Sequence, residues 1–358
     1  MRLLPRQGDW LPRAQRVIYI EPHQIGHEAL DMPQDRPTPD PRPQIGPADS
    51  IADAVKGNWV DRHAPDALKP YFRLSRLDRP IGTWLVLLPC WWGLLLAMIA
   101  GGDPRWEDAW IFAGCGLGAI LMRGAGCTWN DITDRHIDGA VERTRLRPIP
   151  SGAVSVMGAV IWMGLQCLLA LAILLSFNWA AIGLGVLALL PVAVYPFAKR
   201  FTWWPQVFLG LAFNWGALLA WAAHSGSLDW PSPVLYLAGI CWTLFYDTIY
   251  AHQDAEDDAL IGVKSTARLF GDRSPRWLRL FLVGAVCLMG LAVILAVPQG
   301  DVLLLVVALA APLAFGWHMA WQLGRLRLDD NDRLLALFRS NRDAGLLPVL
   351  VFAVALLV

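Results

Sequence analysis

Paired cysteines are missing from this chain. Its six cysteines are Cys90, Cys115, Cys127, Cys167, Cys241 and Cys287, and no two stand closer than 12 residues. That spacing leaves no C-x-x-C motif, so neither a dithiol redox pair nor a cysteine zinc site is encoded. All six fall in apolar stretches, where a free cysteine behaves as a small hydrophobe. The seven histidines include no H-E-x-x-H, which removes that class of zinc hydrolase. Net charge is missing too: 30 basic and 30 acidic residues cancel, so no excess of one sign points to a nucleic-acid partner. Residues 1–20 lack a continuous apolar core, which argues against a secretory signal peptide. Asp9, Glu21, Glu28 and Asp31 argue against a mitochondrial presequence, a class poor in acids.

Apolar residues are abundant instead. They make up 56% of the chain, with 19 Trp, and mean hydropathy is +0.42. Residues 1–70 differ, holding 11 of the 25 prolines, and read as a disordered or extended Pro-rich extension. A short amphipathic piece near Leu68–Leu77 suits the membrane surface. From Arg79 onward nine apolar segments follow, near 81–100, 108–129, 155–176, 178–197, 203–223, 232–251, 278–297, 301–322 and 344–358. Most approach the ~20 residues that a helix needs to cross the hydrocarbon core. The expected fold is therefore all-α, a polytopic membrane domain over residues 71–358.

Arg and Lys crowd alternate loops, at 130–152, 198–202, 252–277 and 323–343, whereas the other loops carry only Arg105. The positive-inside rule puts the rich loops in the cytoplasm and, with nine spans, the C-terminus outside. A bacterial inner membrane is the expected location.

Two acidic clusters stand where apolar segments run out. The first is Asn130-Asp131-Ile132-Thr133-Asp134-Arg135-His136-Ile137-Asp138; the second runs from Asp247 to Asp258 and includes Asp254. On a helix, Asp131, Asp134 and Asp138 fall within roughly a 60° arc, and Asp247, Asp254 and Asp258 within roughly 40°. Carboxylates beside hydrocarbon are costly and are kept mainly for function. Two facing rows suit hard divalent cations such as Mg²⁺, completed by a polyanion; Asn130 adds a neutral oxygen, and no cysteine or histidine partners favour zinc. Arg123, inside a span, and Arg143, Arg147 and Lys199 nearby supply the cations a diphosphate would need.

Five blocks carry a family resemblance. They are Arg76-Leu77-Asp78-Arg79-Pro80-Ile81-Gly82, Arg123–Asp131, Arg147-Pro148-Ile149-Pro150-Ser151-Gly152, Tyr195–Thr202 and Tyr246-Asp247-Thr248-Ile249-Tyr250-Ala251-His252-Gln253-Asp254. Over residues 70–358 the chain resembles the UbiA family of intramembrane prenyltransferases, and within it the branch acting on 4-hydroxybenzoate in ubiquinone biosynthesis. The resemblance implies about nine helices around a central cavity. It implies transfer of a polyprenyl group from polyprenyl diphosphate to 4-hydroxybenzoate with Mg²⁺ as cofactor, and association with other enzymes of that pathway. On this reading Asn130, Asp134, Asp138, Asp254 and Asp258 are metal ligands. Arg123, Arg143, Arg147 and Lys199 bind diphosphate, Arg200 binds the acceptor's carboxylate, and Asp131, Asp247 and Asp254 are catalytic. A different acceptor (a menaquinone, haem O, chlorophyll or lipid precursor) stays open, because fold and motif do not fix substrate. A cation-coupled transporter would instead hold its carboxylates near the midplane on interrupted helices.

Overall fold

A computed structural model of the protein describes residues 57–101, 104–140 and 144–358. Among these residues every regular element is helical. Two short helices come first, α1 (Trp59–His63) and α2 (Lys69–Leu74). α1 starts where it does because the Asn58 side chain accepts from the backbone N–H groups of Val60 and Asp61, satisfying donors a helix start leaves open. Arg73 of α2 then pairs with Asp61 of α1 at 2.9 Å. Helical structure thus begins before residue 70, the boundary drawn from proline content. Residues 1–56 of the expected extension lie outside the described residues.

Three unbroken helices follow: α3 (Ile81–Gly101), α4 (Trp106–Ala140) and α5 (Val156–Leu174). The next two spans are each made of two helices end to end, α6 (Trp179–Leu187) with α7 (Leu189–Phe201), and α8 (Pro205–Phe213) with α9 (Trp215–Ser225). α10 (Pro231–Ala251) runs through a 3₁₀ turn, His252–Asp254, into α11 (Ala255–Leu260). α12 (Thr266–Phe270) leads through a second such turn into α13 (Ser274–Ala296), and α14 (Val302–Gly324), α15 (Asn331–Arg339) and α16 (Asn341–Ala355) complete the chain.

Eight of these stretches are long and apolar enough to cross a membrane. The ninth predicted segment forms α16, whose 15 residues reach only about 22 Å, short of a hydrocarbon core of about 30 Å. One face of it packs on α3, where the Trp92 indole N–H donates to the Gly345 carbonyl at 2.8 Å, while Leu350 and Val354 face outward. α3 is the most enclosed span, while α5 and the α6–α7 pair turn Ile161, Leu168 and Leu190 outward. Outward apolar side chains along the body of these helices are what a lipid surround requires. Small residues set the tightest crossing. A Cβ on Gly93 of α3 would lie 2.2 Å from the Ala217 carbonyl oxygen of α9, so only glycine permits this approach.

Polar ties differ between the two ends of the bundle. At one end, the buried pair His224–Asp108 (2.7 Å) and the Asn178 amide on the Ala222 carbonyl join α4, α6 and α9. At the other, Arg200 donates to the Thr133 carbonyl at 2.9 Å, and the Lys264 backbone N–H to the Lys199 carbonyl. That second end gathers α4, α7, α8, α10, α11 and α15, and both acidic clusters are there.

Candidate active site

The first acidic row is built on one continuous helix. α4 has 35 residues, about 52 Å at 1.5 Å per residue, so its last turns outrun the hydrocarbon and carry Asn130 to Asp138 beyond it. Asp131 and Asp134 are fully buried and Asp138 nearly so. Buried carboxylates need counter-charges, and four cations from three places supply them. Arg76, between α2 and α3, meets Asp131 Oδ1 at 2.6 Å. Arg147 meets Asp138 Oδ2 at 2.7 Å and stands 3.6 Å from Asp131 Oδ1. Lys199 and Arg200, in the last turn of α7, take the two oxygens of Asp134 at 2.6 and 3.2 Å.

Arg76 reaches its place through an unusual backbone. Its φ is 58°, and among the described residues no other non-glycine residue has a positive φ. Such conformations cost of order 1–3 kcal/mol and persist where the surroundings fix them. Burial works against the guanidinium's charge, but Asp131, Asp78 and other neighbouring groups together outweigh it and hold Arg76 protonated more firmly than an ordinary arginine. The second oxygen of Asp131 is buried without a partner.

The second acidic row departs from the single helix expected of it. α10 ends at Ala251, and the 3₁₀ turn rotates Asp254 relative to Asp247 before α11 presents Asp257 and Asp258. All four nevertheless line one cavity of about 360 Å³, a size suited to a small-molecule site. Asn130, Asp138, Arg123, Arg147 and Lys199 line it as well, so eight of the predicted site residues (with Asp247, Asp254 and Asp258) are brought together. Tyr195, Phe213, Tyr246, Tyr250 and Phe338 give it aromatic walls. Phe338 of α15 closes on Tyr250 with ring centroids 4.4 Å apart.

Arg123 sits deep in this cavity, its guanidinium 5.2 Å from the Phe213 ring centroid and its Nε buried without a partner. Gly82 makes the room: a Cβ there would lie 2.4 Å from that nitrogen.

Three predicted residues do not line the cavity. Asp131 and Asp134 stand behind it, fastened to the cations just described. Arg200 is a correction: about half of its side chain is exposed, and its guanidinium is committed to Asp134, to the Thr133 carbonyl and to the face of Phe197. The cause is α7's last turn, which points Lys199 inward and the next residue, about 100° round the helix, away. Arg143 lies outside the described residues.

Other lining residues were not picked out from the sequence: Arg76, Arg79, Gln206, Asp257, Lys264 and Arg339. The first two stand in the Arg76–Gly82 block, so the motif held that signal. Arg339 gave none, because α15 reads in the sequence as a basic loop.

The donor set suits Mg²⁺ in kind. The carboxylates and the Asn130 amide on the two walls offer oxygen, as a hard cation prefers, although the Cys127 thiol also lines the cavity. Among the described residues no three acidic, cysteine or histidine side chains already stand in a chelating group. The reason for the first row is visible: its oxygens hold Arg and Lys.

Comparison with known proteins identifies the family and the fold. Residues 86–342 match the model of the UbiA prenyltransferase family. The chain is 46% identical over 319 residues to the mitochondrial 4-hydroxybenzoate polyprenyltransferase of Rattus norvegicus, covering 88% of this chain and 81% of that one. With the mitochondrial protein of the same name from Arabidopsis thaliana it shares 45% over 295 residues, 81% and 69% of the two chains. A UbiA homologue from Archaeoglobus fulgidus, solved bound to GPP and Mg²⁺, superposes with a TM-score of 0.58 at 18% identity, covering 81% of this chain and all of that one; this likeness concerns the fold. The named relatives are mitochondrial, so they lend no support to a bacterial membrane; a multi-pass membrane protein is what stands. The chain belongs to the UbiA prenyltransferase family.

Proposed function

We propose that the protein transfers a polyprenyl group from polyprenyl diphosphate to 4-hydroxybenzoate, ortho to its hydroxyl, and releases diphosphate. What carries this reading is one cavity lined by both carboxylates and cations, in a chain 46% identical to a protein of that name. The bond from the prenyl C1 to the diphosphate oxygen breaks, and a bond from C1 to the ring carbon forms. The ring proton then leaves to a carboxylate, Asp247 or Asp254.

Asn130, Asp138, Asp254 and Asp258 would hold Mg²⁺, and Asp134 would join them on releasing Lys199 and Arg200. Mg²⁺ supplies charge neutralisation to the diphosphate leaving group. Lys199 and Arg147 line the cavity and donate to the diphosphate oxygens, with Arg143 placed by the sequence nearby. Asp131 acts from behind the wall by orienting Arg76 and Arg147. The five aromatic rings exclude water from an allylic centre that water would quench, and their faces favour positive charge. Arg123, cationic and with its Nε buried and open, takes over from Arg200 the pairing with the benzoate carboxylate. The cavity lies at the Arg-rich end of the bundle, and the positive-inside rule supports a mouth on the cytoplasmic face of the membrane.

The test is a product analysis. Membranes containing the protein are incubated with 4-hydroxybenzoate and a series of prenyl diphosphates, and products are identified by mass. A prenylated 4-hydroxybenzoate is expected; diphosphate release without it, or with another acceptor only, overturns the assignment.

A further inference from the structure

Asn341, the first residue of α16, is fully buried, and its amide is engaged at both ends. The Trp242 indole N–H of α10 donates to Asn341 Oδ1 at 2.9 Å. On the other side, Asn341 Nδ2 donates to the carbonyls of Leu337 and Phe338 at 3.1 and 3.3 Å. An indole N–H cannot accept and a carbonyl cannot donate, so the amide has one orientation open to it. Gln322 of α14, also fully buried, is its reciprocal partner. Gln322 Nε2 donates to Asn341 Oδ1 at 3.2 Å, and Gln322 Oε1 accepts from Asn341 Nδ2 at 3.1 Å. One side chain thus ties α10, α14, α15 and α16 together.

The tie reaches α15 at its last turn, where helix carbonyls lack intrahelical donors. Leu337 turns into the core there, whereas Phe338 turns to the cavity, beside Leu335 and Arg339 on its wall. The Phe338 ring centroid lies 4.4 Å from that of Tyr250 and 5.9 Å from that of Tyr246. Trp242, at the far side of the amide, stands edge-on to Tyr246 with centroids 5.1 Å apart. The same amide therefore registers the wall that α15 supplies against the wall that α10 supplies. A satisfied buried polar network rigidifies the elements it joins.

We infer that Asn341 is a positioning residue for the prenyl transfer, holding α15 so that Phe338 closes on Tyr250 and keeps water from the prenyl C1. This rests on the reading that the cavity takes a prenyl diphosphate. A ring that moves aside admits water to the reacting centre. The bond from C1 to the diphosphate oxygen still breaks, but C1 then bonds to a water oxygen instead of the aromatic ring carbon. The products are a prenyl alcohol, diphosphate and the proton that the water gives up.

The test uses detergent-purified protein with geranyl diphosphate and 4-hydroxybenzoate, and measures geraniol and geranylated 4-hydroxybenzoate by mass. Asn341→Leu has nearly the same volume and no amide. It is expected to raise the ratio of geraniol to geranylated product by about 5- to 150-fold, the span for leaving buried hydrogen-bonding groups unpaired. A mere loss of folded enzyme lowers both products alike and leaves the ratio unmoved. Phe338→Ala should raise the ratio similarly, and the double variant should add little to Phe338→Ala alone, because Asn341 acts through that ring. An unchanged ratio in Asn341→Leu, or in Phe338→Ala, overturns the inference and leaves the transfer reading intact. If Asn341→Leu does not accumulate as folded protein, Asn341 is a scaffold residue and the inference is likewise overturned. A parent protein that forms no geranylated 4-hydroxybenzoate overturns the functional reading, and the inference with it.

Discussion

Removing Arg76 isolates a buried ion pair. Its guanidinium meets Asp131 at 2.6 Å, with the two side chains 9% and 0% exposed, so the replacement Arg76→Gln strands an anion among apolar neighbours. Breaking a buried pair from one side costs about 3–5 kcal/mol. Arg147 remains 3.6 Å from the same oxygen and offsets part of that, which puts the expectation near the lower limit, about 3 kcal/mol. Glutamine at φ 58° carries the same backbone strain as arginine, so the loss reports on charge. For a chain this long, about 3 kcal/mol corresponds to a fall in apparent Tm of about 4–5 °C. The assay is thermal unfolding of the detergent-purified protein. The partner experiment is the double variant Arg76→Gln with Asp131→Asn, in which no charge is stranded. It should recover most of the lost stability while remaining inactive. An unchanged Tm in the single variant, or a double variant as unstable as the single one, would refute the account of Arg76 as counter-ion.

Further outcomes follow from other parts of the site and the bundle. Gly82→Ala crowds Arg123 Nε and should raise the KM for 4-hydroxybenzoate about tenfold, as for part of one charge-assisted bond, with little change in Tm; steady-state kinetics decides it. Gly93→Ala pushes a methyl into the backbone of α9 and should cost about 1–3 kcal/mol by overpacking, read as a lower Tm in the same assay. Asp254→Ala should abolish turnover while membrane insertion, followed by fractionation, is unaffected. EDTA should remove activity and excess Mg²⁺ restore it; full activity in EDTA would sink the metal site.

Much of the helical fold was legible because apolar runs near 20 residues have few alternatives in water or lipid. α16 was the exception in rank rather than in kind: its length was visible, but its burial depends on Gly345, Leu88 and Trp242 meeting, which no periodicity encodes. The first acidic row was readable because α4 continues as a helix through Asp138, so angular arithmetic held. The second was not, because the 3₁₀ turn at His252–Asp254 breaks the register that the arithmetic assumed. Arg200 shows the limit of adjacency: neighbours on a helix point about 100° apart, and sequence alone could not say which of Lys199 and Arg200 faces inward. Gln206 left no mark of its own, since its place on the cavity wall is held by Thr266, 60 residues later in the chain.

The ion pairs of the first row carry a consequence for how ligands enter. Asp131, Asp134 and Asp138 are met by Arg76, Arg147, Lys199 and Arg200, three anions against four cations, so the paired wall carries little net charge. A free diphosphate drawing Lys199 and Arg147 to itself would leave carboxylates bare, and a free metal ion drawing the carboxylates would leave the cations bare. Either half-exchange strands a desolvated charge, the costly outcome for a buried pair. A ligand that brings both signs together lets every pair swap partners at once. Under the proposed function, the wall would act as an ion exchanger that favours a metal–diphosphate complex over either component, and occupancy should climb more steeply when the two are raised together than when one is raised alone.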